Sequence, residues 1–233
     1  MTFWRATMKR SLSLSKTYVI IAFGIAIYGT ILSNLLPLLP SNIPNSPTTI
    51  NLTAVFPVLS VAFLPLSALL FSLPVDLLFV IDKNNGNFEY LLSTGMDQLD
   101  IFQGYVQSSL VLAASILTFA VILNTAIGLY LGTSVSLLAS ITVLTFAVGM
   151  SAVFLVTVSM IAFSSLQRTR TGANQPLGVA IGVIPVFPSL ILPLVFPSYA
   201  LIIDVSIATV ILVASIGLLL SIGRLIKREK LLP

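Results

Sequence analysis

The stretch Asp82–Gly104, DKNNGNFEYLLSTGMDQLDIFQG, decides how this chain reads. It is the only long polar interruption in the first two thirds of an otherwise apolar sequence. Counted with Asp76 just before it, it holds five of the seven acidic residues. Within it, Asn84-Asn85-Gly86-Asn87 is turn chemistry, because Asn and Gly accept positive φ. Phe88, Leu91 and Leu92, then Met96, Leu99 and Phe102, recur at roughly helical spacing, with Glu89, Asp97 and Asp100 at other positions. The pattern predicts a short amphipathic helix over about 86–94, a break at Ser93-Thr94-Gly95, and a run from Asp97 into an apolar segment. Thr94 and Asp97 are both candidate N-caps.

On either side of this stretch the sequence reads as membrane. Of 233 residues, 57% are hydrophobic and 8% charged, and the mean hydropathy is +1.10. A soluble domain carries about 25% charged residues. Too few polar side chains remain to cover a water-facing surface, which predicts an all-α integral membrane protein. The net charge of +4 is then a matter of topology rather than of nucleic-acid binding. The chain has no Cys and no His. Disulfides, thiol chemistry, His-based general acid–base catalysis and nearly every zinc site are thereby excluded.

Outward from the central stretch, residues 1–16 hold Arg5, Lys9, Arg10 and Lys16 among Phe3, Trp4, Met8, Leu12 and Leu14. Two compatible readings are a basic flank that orients the first span, and an interfacial amphipathic helix. In the second, Trp4 anchors the helix and Arg5, Lys9 and Arg10 turn toward lipid headgroups. The apolar run that follows is too long for a signal-peptide core, and no small-residue cleavage pattern follows it. Spans are expected over residues 17–39, 53–81, 105–132, 135–163, 177–203 (broken) and 205–223, each long enough for a core of about 30 Å. Pro57, Pro65 and Pro74 should bend the second. Gly132-Thr133-Ser134 leaves room only for a tight turn, so the third and fourth spans form an antiparallel hairpin. Asn124 reads as interhelical glue, and Ala113, Ala114, Ser115, Gly128, Gly149, Ser151 and Ala152 as close-packing positions. Pro185, Pro188, Pro193 and Pro197 rule out one straight fifth helix and predict re-entrant pieces returning to the outer surface.

Six crossings place residues 1–16, 82–104, 164–176 and 224–233 on one side. These segments carry four, one, two and four Lys and Arg, which account for all eleven in the chain. The positive-inside rule therefore puts them, and both termini, in the cytoplasm. Two acids, Asp76 and Asp204, fall near predicted span ends. Asp76 is expected at the interface or paired with a nearby cation, which weakens it as a coupling-ion site. No G-x-x-x-x-G-K-[ST] motif occurs, so the chain has no phosphate cradle of its own. The acids near 97–100 are too few for a Mg²⁺-dependent lipid phosphotransferase.

The central segment, (D/E)K-x-x-G-x-x-E-x-L-L-S-T in form, together with the six spans, the basic amphipathic N-terminus and the proline-broken fifth span, resembles the ABC-2 family of ABC transporter permeases. The residues that carry the resemblance are Asp82, Lys83, Gly86, Phe88, Glu89, Leu91, Leu92, Ser93 and Thr94, then Asp100, Ile101 and Gly104. Three positions depart from the family's usual pattern. Gly95 stands where Pro is usual, Asn87 replaces a small hydroxyl residue, and Tyr105 follows Gly104 where Lys is common.

The resemblance implies a single transmembrane domain over 1–233 in a multi-pass plasma-membrane protein, with a type V exporter-like layout. It implies a coupling helix bearing Gly86, Phe88, Glu89, Leu91, Leu92, Ser93 and Thr94 that docks into a separate ATPase subunit. It also implies a second permease half, the same chain or a homologue, and an outer gate at Pro185, Pro188, Pro193 and Pro197. The chain itself would hold no cofactor and perform no catalysis, because ATP and Mg²⁺ would bind the partner subunit. The nearly uncharged interior favours a lipid, peptide or drug-like amphipathic substrate. The alternatives are an ion-coupled secondary transporter and a non-transporting membrane partner such as an immunity or sensor subunit.

Overall fold

A computed structural model of the chain describes residues 3–35, 52–163 and 199–225, together with Pro188, Leu192, Val195 and Phe196. Among the described residues there are seven helices and no strand. They are α1 (Phe3–Leu14), α2 (Lys16–Leu35), α3 (Leu52–Asn84), α4 (Asn87–Ser93), α5 (Gln98–Tyr130), α6 (Val135–Phe163) and α7 (Ala200–Leu225). Four stretches are long and apolar enough to cross a membrane: Lys16–Leu35, Leu59–Asn84, Gln98–Tyr130 and Val135–Ile161. A shorter apolar helix, Ile202–Gly217, lies within α7.

α3 is the central element. It packs against α2, α5, α6 and α7, and 72% of its apolar window is buried, against 33% for α2. The helix runs unbroken through positions 57, 65 and 74. Neighbouring helices on several sides leave little hydrocarbon in contact with the backbone groups that proline frees. α5 and α6 form the expected hairpin. Thr133 N–H donates to Gly128 O (2.9 Å) and Gly132 N–H to Leu129 O (3.1 Å), the paired bonds that close a helix C-terminus. Small residues sit where the helices touch. A Cβ on Gly128 would lie 2.7 Å from Leu138 Cδ2, and one on Gly149 would lie 2.8 Å from Leu117 Cδ1.

Asn124 works as interhelical glue, as its position suggests. Its Oδ1 accepts from Asn34 Nδ2 (2.8 Å) and Ser33 Oγ (3.4 Å) on α2. Both asparagines are only 3% exposed.

Several boundaries differ from the sequence reading. The helix α5 reaches back to Gln98, ahead of the span edge at 105 and in keeping with the expected run from Asp97, because Asp97 caps it: Asp97 Oδ1 accepts from Gln98 N–H at 2.7 Å. Ile101 and Phe102 then enter the core, so the polar entry to the span is helical. The second helix runs past 81 to Asn84 and takes Asp82 and Lys83 into its last turn. The last helix starts before Asp204 rather than after it and buries that residue completely. Asp76 is buried inside the helix bundle, 2% exposed, and among the described residues no cation pairs with it. The expectations for 36–51, 164–187 and 226–233 fall outside the described residues, as do Pro185, Pro193 and Pro197. Pro188 is described, as a half-buried helical residue.

Candidate functional site

α4 is seven residues long, too short to hold together by its own hydrogen bonds. What surrounds it keeps it in place. Gly86 precedes it at φ 73°. At the other end Gly95 N–H donates to Leu92 O (3.2 Å) and Met96 N–H to Leu91 O (3.3 Å). This is the same paired closure that ends α5, and it places Gly95 at φ 86°. Proline, usual there in the ABC-2 pattern that the segment resembles, cannot adopt that φ. The departure at Gly95 therefore belongs to a different way of ending the helix. Gly95→Ala should cost about 1 kcal/mol, the strain of a Cβ in the left-handed region. Thermal unfolding of the protein in lipid nanodiscs checks this, because nothing lies within 4 Å of the added methyl and no clash competes.

One face of α4 is rooted in the bundle. Phe88 is completely buried and forms an aromatic triangle with Phe79 of α3 and Tyr105 of α5. The ring centroids lie 4.9 Å (Phe79–Phe88), 5.1 Å (Phe79–Tyr105) and 5.9 Å (Phe88–Tyr105) apart. Leu91 and Leu92 are half-buried against the same core. The other face is open: Glu89, Tyr90, Ser93 and Thr94 are exposed. Ser93 Oγ and Thr94 Oγ1 donate back to Tyr90 O and Leu91 O, each at 2.7 Å, so their hydroxyl protons are committed within the helix.

Beneath α4 a single carboxylate joins four helices. Asp82, whose side chain is 5% exposed, ends α3. Its Oδ1 lies 2.7 Å from Arg10 Nη1 of α1 and accepts from Asn87 Nδ2 of α4 at 2.7 Å. Its Oδ2 accepts from Tyr105 OH of α5 at 2.5 Å and from Arg10 Nη1 at 3.0 Å. A buried carboxylate needs such company, because its desolvation must be offset by donors. The Arg10 side chain is 48% exposed, so solvent screens the ion pair. The Tyr105 and Asn87 bonds lie on the sheltered side. Both residues stand where the segment departs from the ABC-2 pattern, and both departures supply a donor to Asp82.

α1 completes the site. The Phe3 ring meets Tyr105 edge-on at 5.8 Å and occupies the space that a side chain at Gly104 would need. Ser108 Oγ reaches Trp4 O at 2.8 Å. A cleft of about 390 Å³ opens between α1 and α4, floored by Asp82 and Tyr105 and edged by Arg10 and Tyr90.

The structure thus gathers most of the sequence-predicted residues at one end of the bundle and redistributes their roles. Arg5 and Lys9 are exposed, and the Arg5 guanidinium lies 5.2 Å from the Trp4 ring centroid. Arg10, one of the cations expected to face lipid headgroups, binds Asp82 and is half exposed. Phe88, expected to share contact with a partner, is fully occupied by α3 and α5. Asp82 as a hub, Asn87 and Tyr105 as its donors, and Tyr90 as an exposed aromatic were all missed. For Tyr90 the signal was present. The residue is flanked by Phe88 and Leu91, which turn inward, so helical spacing leaves it with Glu89 and Ser93. Among the described residues no three His, Cys, Asp or Glu side chains group to hold a metal.

No protein-family model matches this chain, and neither a curated protein nor a solved structure matches it.

Proposed function

We propose that the chain is the permease subunit of an ATP-driven ABC-2 type transporter. In this reading it has six spans with both termini cytoplasmic, and α4 docks into a separate ATPase that binds ATP and Mg²⁺. A second permease half completes the pathway, and the cargo is an amphipathic lipid, peptide or drug-like molecule moved outward. The observation that carries the reading is the two-faced construction of α4. A push on its exposed face has no compliant loop to dissipate it. The push passes through Phe88 and Asp82 to α1, α3 and α5 together. A merely solvated loop needs neither a buried aromatic root nor a four-helix carboxylate hub.

The test is capture of the full-length protein from its native membranes, with the partner identified by mass spectrometry as a P-loop ATPase or not. Glu89→Arg and Tyr90→Arg are the variants, because both side chains are exposed and neither supports the fold. The expected result is ATPase capture by the wild type and a loss of roughly tenfold or more in each variant, equivalent to about 1.4 kcal/mol of docking energy. Equal capture by all three proteins would remove α4 as the docking element. The burial of Asp76 favours a second reading, ion-coupled transport, since it returns an acid to the membrane interior. Uptake into vesicles driven by a proton or sodium gradient without nucleotide would establish that reading instead.

A further inference from the structure

Asp76 is an acid for which the coupling site has no use. It lies eight residues before the end of α3, about 12 Å along the helix at 1.5 Å per residue. Three helices converge on its carboxyl. Ser109 Oγ of α5 donates to Asp76 Oδ1 at 3.2 Å, and α6 packs against α3 on another side. Two atoms are left over: Asp76 Oδ2 and Thr157 Oγ1 are both buried, and neither has a hydrogen-bond partner.

The charged and titratable neighbours are few. On α3 itself, Asp82 and Lys83 lie nearly two turns away, toward the helix end. On α5, Tyr105 lies one turn from Ser109, and its hydroxyl is bonded to Asp82. α6 has no titratable residue. α2 contributes Lys16, Tyr18 and Tyr28, and α7 contributes Asp204. None of them pairs with Asp76 among the described residues. An isolated ionised carboxylate in such surroundings is too costly to persist and takes a neutralising partner. A metal ion would need a fuller ring of oxygens than one carboxyl and one hydroxyl provide. A proton needs only one acceptor, and Asp76 Oδ2 is a buried oxygen that no donor reaches.

We propose that Asp76 is a proton-binding site. In this helix arrangement the proton sits on Oδ2, the buried oxygen left without a partner. When α3, α5 and α6 part and water enters, the O–H bond breaks, the proton passes to water and the carboxylate remains. Separation of the helices then releases one proton, so rising pH favours the open arrangement and falling pH the closed one, by linkage. The inference rests on helix contacts alone and holds whether or not an ATPase docks at α4.

Infrared spectroscopy of the full-length protein in lipid nanodiscs at neutral pH, in H₂O and D₂O, tests it. The wild type should show a neutral-carboxyl band that shifts in D₂O. Asp76→Asn should abolish that band, and Ser109→Ala should move it to higher frequency as the hydrogen bond to Oδ1 is lost. The thermal unfolding midpoint should fall with rising pH more steeply in the wild type than in Asp76→Asn. That comparison separates Asp76 from Asp204, which both proteins share. Removal of a carboxylate band, rather than a neutral one, by Asp76→Asn would overturn the proposal. So would a neutral-carboxyl band that sodium abolishes, because the site would then bind a metal cation.

Discussion

Phe88→Ala should destabilise the protein by about 3–5 kcal/mol, the range for deleting a large buried aromatic. The residue is 0% exposed and is packed edge and face against Phe79 and Tyr105. Two contributions add. The first is loss of dispersion contacts around a cavity that the stiff neighbouring rings cannot collapse into. The second is loss of the apolar transfer free energy of the buried ring. Phe88→Leu should cost much less, since it keeps most of the volume. The measurement is reversible unfolding in nanodiscs, combined with hydrogen exchange at amides 87–96. The Ala variant should lose protection in α4 before the rest of the bundle. A cost below about 1 kcal/mol, or unchanged protection, would mean that α4 is held by something other than its aromatic root.

Asp82→Ala is the second large effect, about 3 kcal/mol, and its make-up is distinctive. The pair with Arg10 contributes little of it. That guanidinium is half exposed and turns to water when its partner is gone, so the pair accounts for at most about 1 kcal/mol. The larger part is the hydroxyl of Tyr105, 1% exposed, stranded without an acceptor at about 1–3 kcal/mol. Removing that hydroxyl as well should therefore rescue part of the loss. The double variant Asp82→Ala/Tyr105→Phe is expected to be more stable than Asp82→Ala alone. Arg10→Ala alone should be the mildest of the set. Strict additivity of the Asp82 and Tyr105 substitutions would show that the hydrogen bond between them does not couple the helices. Because the hub joins α4 to three other helices, Asp82→Ala should also weaken any response of the spans to a partner docked on α4.

The same residue explains why much of this site escaped a reading of the sequence. Asp82 and Lys83 carried the resemblance as parts of a motif, yet the motif said nothing of Arg10, 72 residues away, or of Tyr105, 23 residues away. Asn87 and Tyr105 looked like departures from a pattern. In three dimensions they are complementary, because each points a donor at one buried carboxylate. Asp76 was discounted on span-edge arithmetic, and α3 turned out to continue to Asn84. Three further residues of helix moved the acid inward from the edge, and the packing of α5 and α6 closed over it.

What the sequence determined by itself was local. Apolar runs of sufficient length, the hairpin at Gly132-Thr133-Ser134, the break at Gly95, the cap at Asp97 and the two-faced pattern of 86–94 are all written in neighbours a few residues apart. Backbone hydrogen bonds and turn preferences act at that range. The tertiary structure alone decided which face of α4 is rooted, which cation Asp82 binds, and which hydroxyl reaches Asp76. Those outcomes depend on residues brought together from distant helices. In a bundle whose helices are apolar on nearly every side, composition does not mark the contacting face. Close packing chooses it, and the few buried polar groups then take whatever partners the packing brings within reach.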